Sequence, residues 1–490
     1  MSAADAPPHR ELFGQPRGLA TLFLTEMWER FSYYGMRAIL ILYVVAAVRD
    51  GGFGLDDRVA SAIYGLYIAA TYMFALFGGW MADRLLGAQR AVIGGGVLIM
   101  IGNALLAVGR AQTFFLGLLV IVLGVGLLKP NISVMVGGLY PEGGARRDAG
   151  FSIFYVGISV GALLGSLLVP LTAAHFGWRS GFALPVIGML FGLAQFLLTR
   201  RSLGTGGRTT LERAWRAWLP VGVLVGAVAG IAALALTGAL TIDPVALATA
   251  ASWAIGLFAL LYFVYLIAFA GLTAAERRRV YVMAALFAAY AIFFAGFEQG
   301  GASLNLFAER YTDRRILGWE MPAGVLQGAT AFYTILFAPA FAALWLALGR
   351  RGRDLAPSAK FAAGLALLAA GYLVLYGACG YVLAGVKVLP TWLLGAYFLQ
   401  ECGDLCLSPV GLSSMTKIAP PRFAGQVMGV WFLALALGNN MAGQLSGEYD
   451  AHDLNSLPAL FLKIALGALG AAAVMALLTP AMRRLMGGVR

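Results

Sequence analysis

The stretch LTEMWERFSYYGMRAIL, residues 24–40, puts four charges into an otherwise apolar run. On a helix, Glu26, Arg30, Tyr33 and Arg37 share one face, bordered by Glu29 on one side and Tyr34 on the other. A charge at mid-bilayer costs about 2.5–3.5 kcal/mol, so each needs a partner or a water-filled cavity. Three further positions behave alike. Lys129 sits in GVGLLKPNISVMVGG, where Pro130 loosens the helix. Glu298 sits in FFAGFEQGGASLNLFAER, with Asn305 two turns on along its face. Asp404 sits in LQECGDLCLSPVGLSS, with Ser408 one turn on, and Glu401 one turn before it joins it or faces a neighbouring helix.

Deep carboxylates (Glu26, Glu29, Glu298, Asp404) thus outnumber deep cations (Arg30, Arg37, Lys129) by one, before Glu401 is counted. Burial raises a carboxylate pKa and a nearby Arg lowers it, so a carboxylate that exchanges its Arg for a proton is a coupling device. His9, His175 and His452 all lie away from mid-span, which leaves carboxylates as the expected proton carriers. Fixed charges of both signs suit a zwitterion. A peptide carboxylate would meet Arg37 and Lys129, and its ammonium Asp404. Tyr33, Tyr34, Tyr64 and Tyr67 add hydroxyls on apolar bodies, and Trp431 and Phe294 would line side-chain pockets.

These residues need a scaffold, and composition identifies it. Of 490 residues, 60% are hydrophobic and 12% charged, with a mean hydropathy of +0.82. A soluble chain of this length could not hide so much apolar surface. The net charge of +12 accordingly points to cytoplasmic loops facing anionic lipid, not to nucleic acid. Sixty-four glycines allow close helix packing. Three cysteines, all in apolar segments, make a disulfide framework improbable. No apolar core precedes the first helix, so no cleaved signal peptide is expected.

Apolar runs place fourteen spans near 19–48, 59–81, 90–109, 112–138, 149–171, 178–199, 217–238, 244–270, 279–307, 322–348, 360–383, 389–416, 424–447 and 458–480. With both termini cytoplasmic, most of the 35 Lys and Arg fall inside, including RRSLGTGGRTTLERAWR, AERRR and GRRGRD. The expected division is a six-helix bundle over 1–200, a basic linker with two extra helices over 201–277, and a second six-helix bundle over 278–490. The extra pair, nearly free of charge, is expected to be a lipid-facing appendage.

Four motifs resemble those of the proton-dependent oligopeptide transporter family of the major facilitator superfamily. EMWERFSYYG matches the family signature at Glu26, Glu29, Arg30, Phe31, Tyr33 and Tyr34. GGWMADRLLGAQR is similar to the superfamily loop between helices 2 and 3. GFSIFYVGISVGALLG is similar to the family's fifth helix, and GDLCLSPVGLSSMTKIAP completes the set. The resemblance implies an all-α polytopic membrane protein with the major facilitator fold, of bacterial type with the extra pair. It implies peptide-carboxylate binding by Arg37 and Lys129 with Tyr33 and Tyr67 nearby. Glu298 would be a proton site alternating with Arg37, while Glu26, Glu29 and Arg30 couple protonation to an ion pair with Lys129. Asp404, where the family usually has Glu, would take the ammonium. Ser159 and Thr330 replace family asparagines, leaving the pocket larger or wetter at the amino end. Trp431 is counted with the substrate residues.

The function expected is proton-coupled import of di- and tripeptides by alternating access in the bacterial inner membrane. Protons are the coupling ion, the chain works as a monomer, and no metal, cofactor, nucleic-acid partner or enzymatic activity is expected. An exporter or importer of another small zwitterion, drug or anion on the same fold is the main alternative. An intramembrane enzyme would need a nucleophile–base or metal constellation that is not found, and a passive channel fits poorly with alternating charge partners. GISVG (157–161) formally fits a hydrolase nucleophile pattern but lacks the strand–turn–helix setting and a histidine. The NIS sequon (131–133) is embedded in a span, and nothing resembles a nucleotide-binding loop.

Overall fold

The computed structural model describes residues 11–12, 14–140, 144–204, 241–316, 318–351, 355–449 and 453–486, with isolated positions between 222 and 237. The span expected near 217–238 therefore lies largely outside the described residues. The other thirteen expected spans are all helical. In chain order they are α1 (Arg17–Val45), α2 (Asp57–Met81), α3 (Ala88–Ala107), α4 (Ala111–Gly138), α5 (Gly144–Phe176), α6 (Trp178–Thr199) and α7 (Pro244–Ala268). Then come α8 (Ala274–Phe297), α9 (Ser303–Tyr311), α10 (Gly328–Arg350), α11 (Pro357–Leu383), α12 (Pro390–Ile418), α13 (Ala424–Ser446) and α14 (Ser456–Leu485). Among the described residues, ten segments are long and apolar enough to cross a bilayer, so the chain is a polytopic membrane protein. The charges at the middle of α1 keep it out of the ten. Among the described residues, strand is confined to two short antiparallel hairpins, Glu11–Leu12 with Gln15–Pro16 and Arg315–Ile316 with Trp319–Glu320.

Local chemistry sets the helix ends. Asp243 caps α7 by accepting from the Val245 and Ala246 amides, with Pro244 at the first helical position. Thr273 and Glu276 form a reciprocal capping box on α8. Gly109 and Gly177 take φ of 74° and 84° in the tight α3–α4 and α5–α6 turns, a conformation that costs glycine nothing.

Two compact units make up the chain: residues 1–39 with 73–242, and residues 40–72 with 243–490. In the first, glycines bring helices into backbone contact. A Cβ on Gly161 would lie 2.1 Å from the Met27 carbonyl oxygen, and one on Gly165 2.3 Å from that of Phe31. GISVG is therefore a packing surface of α5 against α1. Gly78 of α2 meets α4 as closely, 2.1 Å from the Gly126 oxygen. Pro130 removes the amide that would bond that same Gly126 carbonyl, while Asn131 donates to Leu127 O at 2.7 Å, and the helix runs on through both. In the second unit, a bidentate pair fixes the first turn of α2: Arg310 donates to both Asp57 oxygens at 2.6 and 2.8 Å and to the Tyr449 hydroxyl at 3.2 Å. Burial, reinforced by the Tyr311 hydroxyl at 2.5 Å, raises the Tyr449 phenol above its ordinary range.

The extra helix α7 is more than an appendage to the second unit. Asn440 and Gln444 of α13 both donate to Ala248 O and to Ser252 Oγ, at 2.6–2.9 Å. At the other end, Arg422 donates to the Ala270 and Gly271 carbonyls at 3.1 Å.

Candidate functional site

In the first unit, α1 presents the charged stripe inward. Glu26, Glu29 and Arg30 are 2%, 0% and 3% exposed. The Arg30 Nε bonds Glu26 Oε1 at 3.1 Å and also contacts Glu29 Oε2. Its guanidinium lies 5.1 Å over the Tyr33 ring. Arg37, one face-repeat further on, stands 5.7 Å over the Tyr34 ring, and Tyr33 and Tyr34 meet edge to face at 5.2 Å. Lys129 of α4 is half-buried and within electrostatic range of Glu26. One guanidinium thus faces two carboxylates, and Glu26 Oε2, Glu29 Oε1 and Arg30 Nη2 have no hydrogen-bond partner among the described residues. Such a cluster can take up a proton, or accept Lys129 as a second cation, without leaving a net buried charge. Polar contacts hold α1 in this rotation: Asn103 of α3 donates to Ser32 Oγ at 3.1 Å, and Thr21 to Thr199 Oγ1 at 3.0 Å. Ser159 is buried on α5, its hydroxyl turned back onto Tyr155 O at 3.3 Å.

The second unit carries the remaining candidates. The span expected over 279–307 is interrupted: α8 ends at Phe297, Glu298–Gly301 form a 3-10 turn, and α9 restarts at Ser303. Inside a membrane such a break must satisfy its own backbone. Here the Ser303 amide donates to Ser446 Oγ at 2.6 Å and the Gln299 side chain to Ala295 O at 3.2 Å, while Gln299 also donates to Ala442 O at 3.0 Å and accepts from the Ser303 and Ser446 hydroxyls at 2.6 and 2.8 Å. Glu298, 4% exposed, stands at the break, and Asn305 is buried beyond it. Asp404 is partly exposed and accepts from Ser408, whose hydroxyl lies 3.3 Å from that of Tyr290. Trp431 stacks on Tyr290 with ring centres 4.0 Å apart, and Phe294 and Phe361 complete an aromatic wall. Thr330 turns its hydroxyl back to Gln327 O at 2.9 Å. Glu401 faces α10, where Thr334 donates to its Oε1 at 2.5 Å. Tyr64 and Tyr67 are buried on the α2 segment of this unit.

The structure therefore brings together Glu26, Glu29, Arg30, Tyr33 and Lys129 in one unit, with Arg37 further along α1 and Ser159 on α5 of the same unit. Glu298, Thr330, Asp404, Trp431 and Tyr67 lie in the other. Sequence reasoning missed Tyr290 and Thr334. Tyr290 was findable, since Tyr290, Phe294 and Glu298 recur every four residues on α8. Thr334 gave no signal, because its role depends on which helix packs against Glu401. Among the described residues no three His, Cys, Asp or Glu group to hold a metal.

A family model described as the POT family matches residues 89–460. The chain belongs to the POT family. It is 42% identical over 99% of its length to the peptide transporter YePEPT of Yersinia enterocolitica subsp. palearctica serotype O:3 (strain YE-P4), covering 98% of that protein. It is 36% identical to the di-/tripeptide transporter of Lactococcus lactis subsp. lactis (strain IL1403), over 90% of this chain and 91% of the relative. A crystal structure of a peptide transporter POT in complex with sulfate superposes with a TM-score of 0.91 at 39% identity, covering 98% of both chains. As a POT member the chain has the major facilitator type of fold and is a transporter, not an enzyme.

Proposed function

We propose that this POT member imports di- and tripeptides together with protons across the bacterial inner membrane, as a monomer with both termini in the cytoplasm. The observation that carries the substrate is the match to the Yersinia peptide transporter over nearly the whole of both chains. The charge pattern agrees with it. Arg37 and Lys129 take the peptide carboxylate, with Tyr33 and Tyr67 beside it, and Asp404 takes the ammonium. Trp431, stacked on Tyr290, walls a side-chain pocket, while Ser159 and Thr330 leave the amino end roomier by satisfying their hydroxyls locally. Glu298 carries a transported proton and alternates between that proton and Arg37. Glu26, Glu29 and Arg30 report protonation to Lys129. At about 100 mV, worth roughly 2.3 kcal/mol per charge, plus about 1.4 kcal/mol for one pH unit, one proton supports several-hundred-fold accumulation.

The test is uptake of labelled dialanine into proteoliposomes under an inward proton gradient and negative interior potential. Accumulation that collapses with a protonophore and is competed by di- and tripeptides, not by free amino acids, is expected. Uptake that ignores both the gradient and the peptide competitors would sink the proposal.

A further inference from the structure

One buried ionisable group has no part in the cycle just described. Glu401 is 3% exposed, in the middle of α12, and its Oε1 accepts from Thr334 Oγ1 at 2.5 Å. The Thr334 hydroxyl also lies 3.0 Å from Thr330 O, and its single proton can go to that carbonyl or to the carboxyl but not to both. Asp404 lies one turn on, on the same side of the helix and within electrostatic range. The helices packed against α12 carry Tyr290 and, at the break, Glu298 (α8), Tyr333 (α10), and Tyr372 and Lys360 (α11), so Lys360 is the one cation among these. On α12 itself are Tyr397, Cys402 and Cys406. The Lys360 ammonium is turned over the Trp345 ring at 4.6 Å from its centre. Arg310 and Glu309 of α9 are engaged with Asp57 and Arg314. The chain of α13 has no ionisable side chain. Glu401 thus has a neutral hydroxyl for a partner and a carboxylate for a neighbour, and no basic group pairs with it among the described residues.

Two carboxyls a turn apart in a poorly solvated setting cannot both ionise freely; the pair keeps one proton. Asp404 is the better place for the charge, being partly exposed and hydrogen-bonded to Ser408. We infer that Glu401 is a second proton-binding residue of transport, whose proton is released when the substrate's ammonium arrives at Asp404. The empty pair carries one negative charge. With the ammonium bound, the second carboxyl ionises at little cost, its proton leaves to solvent by way of the exposed Asp404 side, and the two carboxylates face one cation. By linkage the effect is reciprocal: a proton on Glu401 weakens binding of the amino group. This is opposite in sign to the protonation of Glu298, which favours loading.

The inference rests on the peptide reading above. Its test uses counterflow in proteoliposomes, where no net gradient is needed. The inhibition constants of dialanine and of its analogue without the amino group (propionyl-alanine) are measured between about pH 5 and 8. Their ratio cancels Glu298, which both ligands share. In the native chain the ratio of dialanine to analogue should rise toward acid, by up to about tenfold per pH unit for one displaced proton. Glu401→Gln should leave the ratio flat, and Thr334→Val should move the midpoint of the curve without flattening it. A flat ratio in the native chain overturns the inference, whatever the variants do. So does a Glu401→Gln ratio that follows the native course, as expected of a merely structural side chain. Absence of any dialanine counterflow would instead be a failure of the peptide reading.

Discussion

At the scale of single residues, the chemistry depends on carboxylates that lack full ionic satisfaction. Glu298, 4% exposed, sits at a helix break that Gln299 and Ser446 tie to α13. Glu298→Gln should therefore preserve the break, abolish gradient-driven dialanine uptake and spare counterflow; driven uptake that survives would reassign the coupling site. Arg30 is different, being buried between two carboxylates. Arg30→Met should destabilise the protein by about 3–5 kcal/mol, since it leaves Glu26 and Glu29 with no cation in contact and only the half-buried Lys129 within range of Glu26. Adding Glu26→Gln and Glu29→Gln should recover most of the thermal stability while transport stays lost. A triple variant no more stable than the single one would mean that Arg30 acts through packing.

At the scale of elements, glycine contacts and polar clamps decide how helices sit. A methyl at Gly161 has nowhere to go, with the Met27 oxygen 2.1 Å away, whereas nothing lies within 4 Å of one at Gly256 on α7. Gly161→Ala should lower folded yield and thermal stability, and Gly256→Ala should match or exceed the native chain, as helix propensity alone dictates. Fluorescence size-exclusion profiles after heating separate the two. The clamp between α7 and α13 gives a third measurement. Membrane hydrogen bonds average about 0.6 kcal/mol, so Asn440→Ala with Gln444→Ala should cost about 1 kcal/mol and leave the dialanine KM unchanged. Unchanged stability would return α7 to the role of a loose appendage.

At the scale of the whole molecule, the proposed orientation rests on the basic runs. The three native cysteines are buried, which gives a silent background for labelling. Ala275→Cys, at the first position of AERRR, should react with a membrane-impermeant maleimide only from the cytoplasmic side, and Val386→Cys, between α11 and α12, only from outside; both positions are exposed. Reaction from the opposite faces would invert the topology.

What the sequence determined by itself was the solvent, the order of the thirteen described spans, the stripe on α1 and the deep positions Lys129, Glu298 and Asp404. Each is legible for one reason: lipid penalises charge and free backbone so heavily that an exception in an apolar run must mean something. Only the tertiary structure decided which exceptions meet. Arg30 serves both Glu26 and Glu29, Ser408 carries Asp404 to Tyr290, and Thr334 of α10 rests on Glu401. It also decided that Gly157 and Gly161 pack α5 on α1, and that Asn440 and Gln444 clasp α7. Those pairings depend on helix rotation and crossing, which side-chain packing fixes between segments far apart in the chain, and hydropathy along one segment carries no record of its neighbour.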